Sequence, residues 1–243
     1  MTFDPNRRNL LRHSIAWSAA GAIAIPMIGR AFAEETKPSD PKEPEVTATE
    51  DLMREHGVIR RALLVYYEVI PRLRQKPGSV NAAALQQAAT LFRNFGEDYH
   101  ERMLEEAHIF PTVRKHGPEF LKYVDILTEQ HNRGRQITDY VLAVTKNGKI
   151  SSLHANPLAD VFESFVLMYE NHAAREDTIV FPAWKKNFSD KQLDEISDQF
   201  EDIEHKMFGK DGFEEAEKTI SSIEAALGLD NLSKFTAPAP PRI

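Results

Sequence analysis

The 243-residue sequence contains no cysteine. That excludes disulfides, thiolate metal ligation, iron–sulfur clusters and cysteine nucleophiles. A metal site in this chain must therefore use nitrogen and oxygen donors. Basic residues are also in short supply, with 30 Lys+Arg against 37 Asp+Glu and a net charge of -7. Arg7, Arg8, Arg12 and Arg30 fall in the first 33 residues beside a single acid, Asp4, so the remainder carries 26 basic against 36 acidic residues. An acidic body lacks the basic clusters that phosphate contacts require, and nucleic acid is not an expected partner. No window alternates convincingly as a β-strand. No nucleophile elbow or phosphate-binding glycine loop is present, which counts against a hydrolase.

What the sequence does have is one chemical pattern written twice. His100 precedes Glu105-Glu106-Ala107-His108-Ile109-Phe110-Pro111, and His172 precedes Glu176-Asp177-Thr178-Ile179-Val180-Phe181-Pro182. Each copy has a histidine on an earlier predicted helix, His56 for the first and His131 for the second. From Glu105 to Glu176 is 71 residues, from His100 to His172 is 72, and from His56 to His131 is 75. A helix-hairpin unit supplying two imidazoles and one carboxylate thus occurs twice. Four histidines and two carboxylates facing one bundle core suit a pair of transition-metal ions, iron foremost, although zinc and manganese use the same donors.

The spacing within the copies differs. His172 and Glu176 are four apart, about 40° of rotation on an α-helix, and share a face with Val161, Phe165, Met168 and Tyr169. His100 and Glu105 are five apart, about 140° on a regular helix. The repeat nevertheless places Glu105 five residues before Phe110, as Glu176 is five before Phe181. A π-bulge between His100 and Glu105 would absorb the extra residue. Glu101 and Glu106 are the alternatives to Glu105, and Asp177 is the rival of Glu176. Gly57 and Gly134, near His56 and His131, offer room for a neighbouring helix. Tyr99 and Tyr169 read as packing residues with hydroxyls near the site. His116 and His154 read as solvated, His108 is a spare without a counterpart in the second copy, and His205 is a minor candidate in an acidic helix.

Hydrophobic periodicity and stop signals predict an all-α, up-down four-helix bundle with two extra C-terminal helices. The first helix runs from about 50 to 76, capped by Thr47 or Thr49 and kinked at Pro71. The second runs from about 80 to 115 and the third from about 119 to 146. The fourth starts near Pro157 as an N1 proline. Pro111 and Pro182 should kink or stop the helices that carry the ligands. The appended helices span about 190 to 208 and 212 to 227. The expected organisation is a signal at 1–33, a Pro- and charge-rich linker at 34–48, the bundle at 49–187, a helical extension at 188–236 and a Pro-rich tail at 237–243.

The N-terminus, with Arg7-Arg8, an apolar stretch from Ile15 to Ile28 and Ala31-Phe32-Ala33 before Glu34, resembles a bacterial twin-arginine signal. The resemblance implies export by the Tat machinery, cleavage after Ala33, a periplasmic or secreted protein, and metal loading in the cytoplasm before transport. The apolar stretch is short for a stable membrane span.

The order His, His-x3–4-Glu, His, His-x3-Glu, with Phe-Pro after each Glu, resembles the hemerythrin-like (HHE cation-binding) family over about residues 50 to 187. The resemblance implies that His56, His100, His131 and His172 are iron-binding imidazoles and that Glu105 and Glu176 are bridging carboxylates. The oxygen-carrier branch has a fifth histidine one turn before the third-helix ligand, where this chain has Leu127. The chain looks more like the four-His, two-Glu branch, for which roles with peroxide, nitric oxide or iron handling have been proposed. The expected protein is thus a non-haem di-iron protein with an open position for O₂, peroxide or NO. Iron sequestration without turnover and a purely structural helical module are the alternatives.

Overall fold

The computed structural model describes residues 46–242. The expected signal segment, its cleavage point and most of the expected linker lie outside them. Helix α1 spans Ala48–Gln75, and α2 spans Ala82–Leu91. The rod that begins with α2 continues as a π-helical stretch over Phe92–Ile109 and then as the short α3, Phe110–Val113. Helix α4 spans Pro118–Thr145, and α5 spans Ser152–Arg175. The α5 rod likewise passes through a π turn, Glu176–Val180, into α6, Phe181–Lys185. Helices α7, Asp190–Phe208, and α8, Gly212–Leu227, complete the fold. Among the described residues there is no strand, and no helix is long and apolar enough to cross a membrane.

The boundaries follow from local chemistry. Thr47 caps α1 by accepting from the Glu50 N–H, and Glu50 and Asp51 sit where the helix dipole favours acids. Asn81 caps α2 through Ala84 N–H, and Ser189 and Gln192 form a capping box on α7. Gly209 ends α7 at φ 70°, in the left-handed region where a side chain would be strained. Of the prolines inside α1 and α5, only Pro157 departs from expectation. Helix α1 runs through Pro71 to Gln75. Helix α5 starts at Ser152, so Pro157 lies inside it rather than at its first position; Ser151, in extended conformation, is the N-cap residue.

Helices α1, the α2 rod, α4 and α5 enclose one core, with α1 against α5, the α2 rod against α4, and α4 against α5. One end of that core is aromatic. Tyr66 stacks on Phe162 at 4.4 Å, and Phe92 packs on Phe165 at 5.2 Å and edge-on to Tyr169 at 5.2 Å. Helices α7 and α8 fold back over α1 and the α2 rod. There Arg61 donates to Glu224 and Ser221 of α8.

Candidate metal centre

All six expected ligand residues converge in the bundle interior. His56, His100, Glu105, His131, His172 and Glu176 are buried, each with 3% or less of its surface exposed. Two sets of donor atoms lie within metal-binding reach of one another: His56, His100 and Glu105 form one, and Glu105, His131, His172 and Glu176 form the other. Glu105 belongs to both. Its Oε1 lies 3.4 Å from His100 Nε2 and its Oε2 lies 3.3 Å from His131 Nε2. Glu176 Oε2 lies 3.0 Å from His172 Nε2 and 3.5 Å from His56 Nε2.

The wide backbone turns put the carboxylates there. In both ligand rods the π geometry ends at Phe-Pro. The Phe110 N–H donates to the Glu105 carbonyl and the Phe181 N–H to the Glu176 carbonyl, each closing an i→i+5 turn. A proline ring in an α-helix strikes the carbonyl four residues back and cannot donate. Widening the turn that precedes it accommodates the ring. The π stretch also brings Glu105 round to the face of His100, which a regular helix would not allow. The prolines therefore reshape the helices rather than stopping them. The second wide turn, at Glu176–Val180, was not foreseeable from the His172–Glu176 spacing, which suits an ordinary helix.

The outward nitrogens of the four imidazoles are all engaged. His56 Nδ1 donates to Asp177 at 2.7 Å, His100 Nδ1 to Glu55 at 2.7 Å, His131 Nδ1 to Glu106 at 2.8 Å, and His172 Nδ1 to Gln130 at 2.9 Å. Each partner fixes the proton on Nδ1 and leaves the Nε2 lone pair pointing inward. These supporting residues repeat like the ligands. Glu55 and Gln130 immediately precede the first histidine of each copy, and Asp177 and Glu106 immediately follow the glutamate of the opposite copy. Arg60 and Arg135 stand four residues after His56 and His131. Arg60 donates to Asp177 at 2.7 Å, and Arg135 donates to Glu106 and, at 3.1 Å, to Glu101. Asp177, Glu101 and Glu106, weighed as alternative ligands, thus occupy the layer behind the ligands. Glu101, Glu106 and His131 Nδ1 form a third donor cluster, but the Arg135 guanidinium already contacts both of its carboxylates.

The remaining candidates separate cleanly. Tyr99 donates to Glu55 at 3.1 Å and Tyr169 to Glu101 at 2.5 Å, so both hydroxyls belong to this network. Phe181 stacks on His56 at 5.4 Å and Phe110 on His131 at 5.4 Å, which gives the Phe-Pro marks a second use as walls of the site. His108 packs on Phe200, His116 accepts from Asn187, and His205 is exposed and donates to the Glu201 carbonyl. None of these three reaches the centre. Glu55, Gln130, Arg60 and Arg135 were missed, although their equal offsets from the ligands in both copies carried the signal.

The interior of the cluster is a set of acceptors facing acceptors. His100 Nε2 and both carboxylate oxygens of Glu105 and of Glu176 have no hydrogen-bond partner. His131 Nε2 and His172 Nε2 face each other at 3.0 Å. Buried lone pairs without donors are costly, and a cation is the partner that satisfies all of them. Metal-free, the cluster compensates with protons. Burial lowers the affinity of His56 and, with His131 nearby, of His172 for a proton. For His100 and His131 burial acts the same way, but the surrounding carboxylates outweigh it and hold both imidazoles well above the usual histidine range. Burial and the Glu105 charge push Glu176 well above the usual carboxylate range. The donor set therefore fits bound metal.

The model of the hemerythrin HHE cation-binding domain matches residues 47–184. Uncharacterized proteins of Mycobacterium tuberculosis and Mycobacterium bovis are each 41% identical to the chain over 235 residues, covering 95% of it and 90% of each relative. No solved structure matches. The match spans the bundle and every residue of the metal cluster, and the chain belongs to the hemerythrin HHE cation-binding family.

Proposed function

We propose that the protein is an exported non-haem di-iron protein that binds or reacts with O₂, peroxide or NO. The observation that carries the metal reading is the buried cage of inward-facing acceptors, His100 Nε2 and the four oxygens of Glu105 and Glu176. Charge supports two ions. Glu55, Glu101, Glu105, Glu106, Glu176 and Asp177 surround the imidazoles and are opposed by Arg60 and Arg135. Fully ionised, six carboxylates against two guanidiniums leave four negative charges, the complement of two divalent cations.

In this reading His56 and His100 would hold one ion and His131 and His172 the other, with Glu105 and Glu176 as carboxylate donors between the two imidazole pairs. Iron held by these residues would supply one-electron redox chemistry toward a small ligand. The chain's own residues do the rest. The Nδ1 partners hold the tautomers and ring orientations. Phe110 and Phe181 keep water from the stacked imidazoles. Tyr99 and Tyr169 keep Glu55 and Glu101 hydrogen-bonded.

Metal analysis of the mature protein, purified without metal-charged resin, tests the reading. About two irons per chain are expected, with fast spectral changes on adding peroxide or NO. A folded protein that binds no iron when ferrous ion is supplied would overturn it.

A further inference from the structure

Three of the four residues that accept from the imidazole Nδ1 groups are carboxylates, and one is not. Glu55 stands behind His100, and its counterpart behind His172 is the uncharged Gln130. A carboxylate accepting from Nδ1–H makes the opposite nitrogen a stronger donor to a metal; an amide does so less. Of the two imidazole pairs, His131 and His172 thus have the weaker Nδ1 support and would pass less charge to an ion held there.

The surroundings differ in the same sense. Behind the first half, Tyr99 donates to Glu55 and packs edge-on to Phe208 at the end of α7, at 5.4 Å, while the neighbouring Arg54 lies over Phe213 of α8 at 4.3 Å. The C-terminal helices therefore cover the seam between α1 and the α2 rod. The equivalent seam between α4 and α5 carries a groove of about 500 Å³ lined by Tyr123, Ile126, Leu127, Gln130, Asn171 and Arg175, among others. Gln130 spans the two, bordering the groove and bonding His172.

We infer that small exogenous ligands reach the centre through the α4–α5 groove and bind on the His131/His172 side, with Gln130 as the positioning residue that keeps this half receptive. The inference rests on the two-metal reading above. It also gives the C-terminal helices a task, closing the other of two equivalent seams.

Azide binding to the iron-loaded protein, followed by stopped-flow absorbance with metal content measured in parallel, tests it. Three variants are compared with the parent. Ile126→Trp narrows the groove from an exposed position and is expected to slow azide association severalfold without changing iron content. Gln130→Glu supplies the missing carboxylate and is expected to weaken azide binding about tenfold while holding iron more tightly under chelator challenge. Phe208→Ala opens the covered seam and is expected to leave azide association through the groove at the parent rate. Unchanged azide kinetics in Ile126→Trp, or unchanged azide affinity in Gln130→Glu, with iron content intact, would overturn the inference. An iron-free parent would instead sink the two-metal reading on which it stands.

Discussion

Gly134 lets the α4 backbone pack directly against Tyr169 of the metal centre's supporting network. A Cβ built there would meet Tyr169 Oη at 2.2 Å and two ring atoms of Tyr169 at 3.0 Å. Tyr169 has little freedom to yield, because it is buried, packs against Phe92 and Phe165, and donates to Glu101 at 2.5 Å. Gly134→Ala gains about 1 kcal/mol of helix propensity. Against that stand about 1–3 kcal/mol of overpacking and about 1.5–3 kcal/mol for breaking a hydrogen bond to a buried carboxylate. The expected net loss is about 2–4 kcal/mol, roughly 10 °C in Tm for a folded unit of this size. The damage should also reach the metal, since Glu101 and Glu106 share Arg135, and Glu106 holds His131. Gly57→Ala is the control, because nothing lies within 4 Å of its Cβ. It should keep or raise stability, by up to about 1 kcal/mol. Adding Tyr169→Phe to Gly134→Ala removes the 2.2 Å contact and should recover part of the steric loss. The assay is calorimetry with iron retention under chelator. A Gly134→Ala protein as stable as Gly57→Ala would show that Tyr169 is free to yield to the added methyl.

Chelation should lower Tm, because ions bound only by the folded state add about 2.7 kcal/mol at a hundredfold excess over Kd; a scan unchanged by chelator would contradict this. Iron affinity should fall as pH drops below the raised range of His100 and His131, since metal must displace their protons. A titration flat across pH 6–8 would count against it. Glu97, buried and near Glu101, has its carboxyl raised to about 7 from an ordinary 4.5, with the Thr138 hydrogen bond and Arg93 opposing the burial. Between those values the folded state keeps a proton that the unfolded state loses. Stability should therefore fall as pH rises through that window, by on the order of 3 kcal/mol, the effect being absent below it. Urea midpoints of Glu97→Gln should lack this slope, and an identical slope would exclude Glu97 as its source. Arg61→Ala should loosen α8 through loss of the contacts to Glu224 and Ser221. The residue is partly exposed, so the cost should be about 1 kcal/mol, visible as faster amide exchange in Gly212–Leu227 and not in α5.

The bundle was readable because its signals are local. Thr47, Asn81 and Ser189 cap where their side chains can accept a nearby backbone N–H, and apolar residues recur at helical spacing between them. Prolines were harder, because their effect depends on what the surrounding turns can absorb. Pro157 looked like a helix start but sits inside α5. Aligning the copies on Phe-Pro pointed to Glu105 despite its unfavourable spacing from His100, and the π stretch supplies the geometry that this choice needs. The supporting layer was harder still. A hydrogen bond such as His56 to Asp177 joins residues 121 apart, and which pairs meet depends on how the two hairpins close on each other.

The same closure explains why the centre needs both hairpins. Asp177 of the second supports His56 of the first, and Glu106 of the first supports His131 of the second. Glu105 and Glu176 likewise face imidazoles from both. A single hairpin would present two imidazoles and a carboxylate with half of their supporting bonds missing. The acceptors converge only when the bundle closes, so metal affinity and bundle closure are two faces of one equilibrium. The aromatic layer of Tyr66, Phe92, Phe162 and Phe165 beside the site supplies apolar burial that does not depend on metal. It can hold the bundle together while the cage above it carries protons in place of cations. The polar cage and the apolar layer thus have separate tasks: the layer keeps the hairpins paired, and the cage makes that pairing responsive to metal.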